Sequence, residues 1–500
     1  MADSQPSLTH RVAKGASWMV LMRFSIRSIG IVSTLILARL LVPEDFGVVA
    51  IATLILGVVE IIGQFGFETA IIRDMKAERP DYDTAWTMKI LRGVVVGSIL
   101  AGSGPFVAAF FGDPRVENVM YVLAAASFLD SVQNIGVVDF RKNIQMHREF
   151  NFRVWRKVVS FVVTIVLAFV MKSYWALVFG IFADRATGLV ASYMMSKYRP
   201  RLTLVRWRKL LGFSVWVLVH NVLWYARENV GRAIIGRILD SASLGVYSVA
   251  KELAQLPTSE LVLPIQAALV PGYARIVNNP SALASAYVRT FSTVLMIAAP
   301  AGIGLALLAE PFVLTVLGAS WESAVPVLQI LAFHGTMQVS YASAGGVLLS
   351  LGKPRILVYL SLSALTYGIP MMIFGTQWYG LEGAAWAMVV MTAINGPITA
   401  FIVSKTIKVR YGTLAVSIWR TIVSLAAMSG VVLLLLRYWP DLPVLNHPVV
   451  QLLAGAAAGA ITYVVIHLGL WWLCGRPRSA EAEVLRLAGH YLPARFRLAE

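Results

Sequence analysis

The sequence predicts an all-α protein that crosses a membrane about fourteen times. Three observations predict it. Apolar runs of about 20 residues, each long enough to span a bilayer as a helix, recur along the chain. Its 58% hydrophobic and 14% charged residues stand apart from soluble domains, which are roughly 45–50% apolar and about 25% charged. Lysine and arginine gather in alternate connections, the pattern that fixes helix orientation in a membrane.

Taken in order, the spans fall near residues 16–40, 46–72, 84–111, 117–140, 154–171, 174–195, 210–237, 243–270, 283–309, 323–350, 356–375, 381–404, 415–436 and 449–474. Turn residues punctuate them, among them Pro43, Gly112-Asp113-Pro114, Asn278-Asn279-Pro280 and Gly352-Lys353-Pro354. The first span follows a basic start but contains Arg23 and Arg27 and has no small-residue cleavage site, so it reads as a retained helix rather than a signal peptide. Connections between spans do not much exceed about 16 residues, which leaves no room for a soluble catalytic domain. The tail from Gly475 carries Ala482, Val484, Leu485 and Leu487 among charges. That pattern suits either an amphipathic surface helix or a disordered tail.

The even-numbered connections and both termini are basic. Arg73, Lys76 and Arg79 lie in the second, Arg141, Lys142, Arg148, Arg153, Arg156 and Lys157 in or after the fourth, and Lys197, Arg199, Arg201, Arg206, Arg208 and Lys209 in the sixth. Odd-numbered connections hold little more than Arg115, Lys172 and Arg437. An even number of spans with both termini in the cytoplasm follows. The net charge of +17 then reflects topology and contact with anionic lipid rather than nucleic acid. The single cysteine, Cys474, excludes an intramolecular disulfide and a cysteine-based metal cluster.

The first half of the chain is echoed in the second. Arg39-Leu40-Leu41 with Phe46-Gly47-Val48 matches Arg237-Ile238-Leu239 with Leu244-Gly245-Val246 at a constant offset of 198 positions, and Trp18 matches Trp216 at the same offset. Phe111-Gly112 and Leu317-Gly318 form a second echo. Two similar apolar halves are the usual plan of a transporter.

The run Leu37-Ala38-Arg39-Leu40-Leu41-Val42-Pro43-Glu44-Asp45-Phe46-Gly47 resembles the signature of the Wzx-type polysaccharide flippases, within the MATE-like multidrug/oligosaccharidyl-lipid/polysaccharide exporter superfamily. So does Arg232-Ala233-Ile234-Ile235-Gly236-Arg237-Ile238-Leu239, continuing through Leu244-Gly245-Val246-Tyr247-Ser248-Val249-Ala250 to Pro257. The resemblance implies two six-helix lobes and two C-terminal helices: an N-lobe at 1–205, a C-lobe at 206–410, two helices at 411–475 and a cytoplasmic tail at 476–500. It implies movement of undecaprenyl-diphosphate-linked oligosaccharide from the inner to the outer leaflet of the bacterial inner membrane, with polymerase and export machinery as further partners. Where many relatives carry an acid just before Arg232, this chain has Gly231, so a role for that acid does not transfer.

Charges inside spans cost about 2.5–3.5 kcal/mol each on insertion scales and call for a partner or a task. Arg23 and Arg27 share one face of the first helix, about 10 and about 17 Å from its cytoplasmic end at the helical rise. Paired guanidinium groups suit a lipid diphosphate; ion pairing with a neighbouring helix, or snorkelling of Arg23, is the alternative. The seventh helix carries His220, Asn221, Arg227, Glu228 and Arg232. Glu228 and Arg232 stand four apart and either neutralise each other or serve substrate and proton. Asp184 and Arg185 are adjacent in the sixth helix and cannot share a face. Asp184 is therefore a candidate for proton coupling or for a structural hydrogen bond, as are Asp130 and Glu60. In the eighth helix Lys251, beside Glu252, is a candidate phosphate contact, and His334 reads as a packed histidine. Gly93/Gly97 and Gly455/Gly459 permit close helix contact, within the bundle or, for the second pair, between copies.

The chain contains no Walker lysine motif, dinucleotide glycine fingerprint, His-Glu-x-x-His or Gly-x-Ser-x-Gly. No cofactor or metal is expected, and the energy for transport would come from an ion gradient, the membrane potential or removal of product. A drug/cation antiporter of the same superfamily would favour acidic groups facing its cavity, whereas these arginines favour an anion. A membrane polymerase or ligase would need large periplasmic loops. A scaffold without transport leaves the charges inside the spans unexplained.

Overall fold

The computed structural model describes residues 8–62, 67–210, 215–339, 342–439, 447–476 and 481. Among the described residues every regular element is helical. Two compact units divide the chain, Met1–Gly245 and Val246–Glu500.

The first unit begins with α1 (Leu8–Leu40), α2 (Pro43–Ile62) and the short α3 (Phe67–Arg73). Then come α4 (Arg79–Phe111), α5 (Arg115–Ser131), a 3-10 turn at Ile135–Val137 and α6 (Val138–Lys142). The unit continues with α7 (Met146–Met171), α8 (Trp175–Met195), α9 (Trp207–Leu210) and α10 (Val215–Ile238). Local chemistry sets several boundaries. Glu78 and Asp81 form a capping box at the start of α4, and Gly112, in the left-handed region at φ 73°, ends it. Pro43 opens α2 at a position where its missing N–H costs nothing. Inside the unit α4 packs on α5, α7 on α8 and α1, and α10 on α2.

The second unit holds most of α11 (Ser241–Ile276), then α12 (Pro280–Leu307), α13 (Ala309–Val316), a 3-10 turn at Ala319–Trp321, α14 (Ala324–Val339) and α15 (Ala342–Ser350). It closes with α16 (Pro354–Ile407), α17 (Tyr411–Arg437) and α18 (Pro448–Leu473). Asn279 caps α12 by accepting from the Ala282 N–H at 3.1 Å. The 54-residue α16 is broken at Gly380 (φ 59°, ψ −139°), which separates the expected eleventh and twelfth spans. Buried Tyr273, Tyr287, Val347 and Val403 form one cluster of this unit's core.

Among the described residues, eight helices are long and apolar enough to cross a membrane by length and composition, or nine if the bent pair Arg115–Ser131 and Ile135–Lys142 is one span. The polytopic all-α class stands on these. Their outward faces are apolar: Phe106, Val170, Trp378 and Leu473 are each more than 70% exposed, as lipid-facing side chains are. Both glycine pairs pack within the chain. A methyl on Gly93 would strike the Ser131 side chain, and methyls on Gly455 and Gly459 would meet Leu308 and Val432. The face of α18 offered for pairing between copies is thus already covered. The side chains of Trp216, His220 and Pro257, and the tail segment containing Ala482 to Leu487, lie outside the described residues.

Candidate functional site

The first unit contains a charged cluster inside its spans. On α8, the adjacent Asp184 and Arg185 point to different neighbours, as one residue's rotation about a helix requires. Asp184 Oδ2 accepts from Arg156 Nη2 of α7 at 2.7 Å. Arg185 Nη1 lies 2.7 Å from Asp130 Oδ1 of α5, and its Nη2 lies 3.3 Å from Glu60 Oε1 of α2. Arg156 also approaches Asp130 at 3.8 Å, Gln133 Nε2 donates to Asp130 at 2.9 Å, and Arg92 of α4 donates to the Glu60 carbonyl at 2.8 Å. Five helices thus contribute three carboxylates and three guanidinium groups. Their mutual neutralisation explains how so many charges are tolerated in apolar surroundings. The geometry also couples the groups: a proton gained by one carboxylate weakens its hold on an arginine shared with another.

The remaining candidates lie elsewhere. Arg23 is exposed and Arg27 half-buried on α1. On α10, Arg227 Nη2 is 3.8 Å from Glu228 Oε1, and Arg232 Nη1 donates to Asn229 Oδ1 at 3.3 Å. Tyr225, one turn before Asn229, presses on α2: its hydroxyl donates to the Leu54 carbonyl at 2.9 Å, where Gly57 leaves room for the ring. Lys251 and His334 are buried in the second unit. Arg39 is exposed, and the Arg237 guanidinium stacks 5.2 Å from the Phe110 ring.

Sequence reasoning missed the partners. Arg156 reads only as a base of the fourth connection and Arg92 belongs to no motif of the sequence, yet each closes part of the cluster. A second group lies near the connections: Glu68 pairs with Arg141 and with Lys89 at 3.6 Å, and Glu149 pairs with Arg153 at 2.6 Å. The available signal was the excess of acids at span ends beside basic runs, which does not specify who meets whom.

Connections of like parity meet. Glu44 of the first reaches Arg115 at the third, at 2.7 Å, and Asp45 beside it accepts from the Tyr174 N–H of the fifth at 2.9 Å. Arg206 of the sixth approaches Glu78 of the second at 3.4 Å, while Glu68, just before the second, joins Arg141 of the fourth. This is the sorting expected when alternate connections occupy opposite sides of a membrane.

Comparison with known proteins gives matches of three kinds. Residues 36–326 match the model of a family described as polysaccharide biosynthesis protein. The chain is 24% identical over 414 residues to the lipopolysaccharide biosynthesis protein WzxC of Escherichia coli (strain K12), covering 80% of this chain and 82% of that protein. It is 25% identical over 475 residues to the succinoglycan biosynthesis transport protein ExoT of Rhizobium meliloti (strain 1021), covering 91% and 92%. Among solved structures it matches the lipid II flippase MurJ in an inward closed conformation, with TM-score 0.72 and 13% identity, over 91% of this chain and 99% of that one. This last likeness concerns the fold.

Proposed function

The chain belongs to the polysaccharide biosynthesis protein family, and from that membership we propose that it is a flippase for lipid-linked oligosaccharide. It carries repeat units on an undecaprenyl diphosphate from the inner to the outer leaflet of the bacterial inner membrane, by alternating access, for exopolysaccharide, capsule or O-antigen synthesis. The observation that carries the reading is the family match over residues 36–326, which includes both echoed motifs. Names of relatives such as WzxC and ExoT point to the same pathway class.

The division of labour is part of the proposal. Arg23, Arg27, Arg227 and Arg232 supply cationic contacts for diphosphate or glycan, with Lys251 a candidate for the same chemistry in the second unit. Guanidinium groups fit phosphate oxygens bidentately and stay charged in apolar surroundings. Asp184, Asp130 and Glu228 are the ion-coupling candidates. Each has an arginine partner within 4 Å, so protonation of the acid changes what its arginine binds. Both termini face the cytoplasm, fourteen spans separate them, and the lobes at 1–205 and 206–410 alternate access. Catalytic chemistry has no place in this reading.

The test is a gene deletion. One surface polysaccharide disappears and its lipid-linked repeat accumulates on the inner leaflet; complementation with this chain restores export. Unaltered polymer export in a strain lacking any second flippase would reject the function.

A further inference from the structure

The last two spans hold a second buried charge cluster, and one of its members comes from beyond them. Glu481 of the tail places Oε1 3.0 Å from Arg420 Nε of α17 and 3.3 Å from His467 Nε2 of α18. All three side chains are at least nine-tenths buried. His467 precedes Leu473, the last residue of α18, by six positions, about 9 Å at the helical rise. The tail has therefore turned back along α18. Two successive left-handed residues begin that turn, Gly475 (φ 80°) and Arg476 (φ 53°).

The receiving pair is held in place by its own helices. The Tyr463 ring stacks on His467 at 5.3 Å, and its hydroxyl donates to the Met296 carbonyl of α12 at 2.8 Å. Ser424 Oγ donates to the Arg420 carbonyl at 2.7 Å. With its one hydrogen engaged there, Ser424 accepts at its 3.3 Å contact with His467 Nδ1. Nδ1 therefore carries a hydrogen, and an attractive contact at Nε2 needs one more proton between imidazole and carboxylate. With that proton on the imidazole, the pair presents two cationic donors to the anion between them. Beside the pair lies a cavity of about 750 Å3, lined by apolar side chains such as Leu256, Pro300 and Met428. Its polar side chains are Tyr463, His467 and Glu481. Val464, 51% exposed, stands on its wall, so the cavity opens past an outward face of α18.

A phospholipid asks two things of a site: an apolar slot open to the bilayer, and cationic donors converging at the slot's end for its phosphate. The cavity and the Arg420–His467 pair meet both. An anion already fills the donor end, and it is the chain's own. Glu481 holds that place through its tether, which raises its effective concentration. Against it works the attraction of the tail's Arg476, Arg478 and Arg486 to anionic lipid. We propose that Arg420 and His467 are a receptor for the phosphate of an anionic phospholipid, with an acyl chain in the adjoining cavity, and that Glu481 is the resident competitor that lipid displaces. Docked tail and bound lipid are then exclusive states, and the tail responds to the lipid around it. Every residue of the site belongs to the second unit, and the proposal does not depend on the transport reading.

The test uses purified full-length protein and native mass spectrometry, with phosphatidylglycerol or phosphatidylcholine added in micelles. Glu481→Gln should bind phosphatidylglycerol several-fold more tightly than wild type and phosphatidylcholine no more tightly. Adding Arg420→Gln should erase that gain; should this variant fail to fold, His467→Gln takes its place. The tail is read in nanodiscs by trypsin, which cuts after Arg478. Cleavage of wild type should be slow in phosphatidylcholine and several-fold faster once phosphatidylglycerol is included. Glu481→Gln should be cut fast in both. Equal retention of phosphatidylglycerol by wild type, Glu481→Gln and the double variant would overturn the receptor and leave Glu481 a permanent staple. Wild-type cleavage that phosphatidylglycerol leaves unchanged would overturn the displacement. Inorganic phosphate in phosphatidylcholine nanodiscs should leave the tail docked, and release by phosphate alone would overturn the lipid assignment. Export is not among the readouts, so failure of the transport reading leaves each of these outcomes as it stands.

Discussion

Arg156 lies between two carboxylates, 2.7 Å from Asp184 and 3.8 Å from Asp130. Removing one partner leaves the arginine partly uncompensated. Asp184→Asn should therefore lower stability by about 1–3 kcal/mol, below the range for fully buried pairs because both side chains keep some exposure. The paired variant Asp184→Leu with Arg156→Met should recover most of the loss, and thermal unfolding in detergent measures both. If Asp184 also couples an ion, transport by a folded Asp184→Asn protein will lose its pH dependence. Arg27 is the sharper functional test. Arg27→Ala should abolish export and Arg27→Lys should retain a minor fraction, both at normal membrane levels, because lysine keeps the charge but not the bidentate fork. Asp113 bears on pH. Burial pushes its carboxyl up, but hydrogen bonds from Arg115 and Ser241 outweigh this and hold it below its ordinary value of 3.8. Its stabilising contribution is thus complete above that value and is lost as the pH falls through the lower, folded one. The difference in melting temperature between wild type and Asp113→Asn should be flat near neutrality and shrink below about pH 4.

At the scale of helices, small residues decide how closely spans approach. Three glycines of α4 face different surroundings: a methyl on Gly93 collides with Ser131, one on Gly97 makes ordinary contact with the Ala124 carbonyl at 3.5 Å, and one on Gly102 meets nothing within 4 Å. Substitution by alanine should follow that order. Gly93→Ala should cost about 1–3 kcal/mol through overpacking. Gly97→Ala should be nearly neutral, and Gly102→Ala should gain up to about 1 kcal/mol from helix propensity. Melting temperatures of the three purified variants check the ranking. The break at Gly380 has a local logic too. Gly375 and Gly383 leave no room for side chains between the arms of α16, so a tight reversal joins two spans without a polar loop.

For the whole molecule, the like-parity contacts bear on topology. Glu44, Asp45, Asp113, Arg115, Tyr174 and Ser241 gather at one end of the first unit, while Glu78, Arg206, Glu68 and Arg141 join the even-numbered connections. Cysteine labelling from outside should therefore reach a probe at Glu44 and not one in the 197–209 connection, with both termini inaccessible. Labelling of the 197–209 connection from the periplasm would reject this topology.

The sequence by itself determined the membrane class, the positions of most spans, the alternation of connections and the echo at residues 39–48 and 237–246. Those properties are local or additive. A run of apolar residues sets a span, lysines and arginines near its ends orient it, and a repeat survives as identity at fixed spacing. Tertiary structure decided the partners. Asp184 and Arg185 could be placed on different faces from their adjacency, but nothing in the chain specified that one meets Arg156 and the other Asp130 and Glu60. That depends on the depth and rotation of five helices, and a helix of given hydropathy can turn about its axis without changing its sequence signal. The same holds for Gly47 and Gly245. Their equivalence was written in the sequence, whereas the approach of Gly47 to the Ser241 carbonyl and of Gly245 to the Pro43 carbonyl arises only where two helix starts are brought within backbone distance, which packing alone sets.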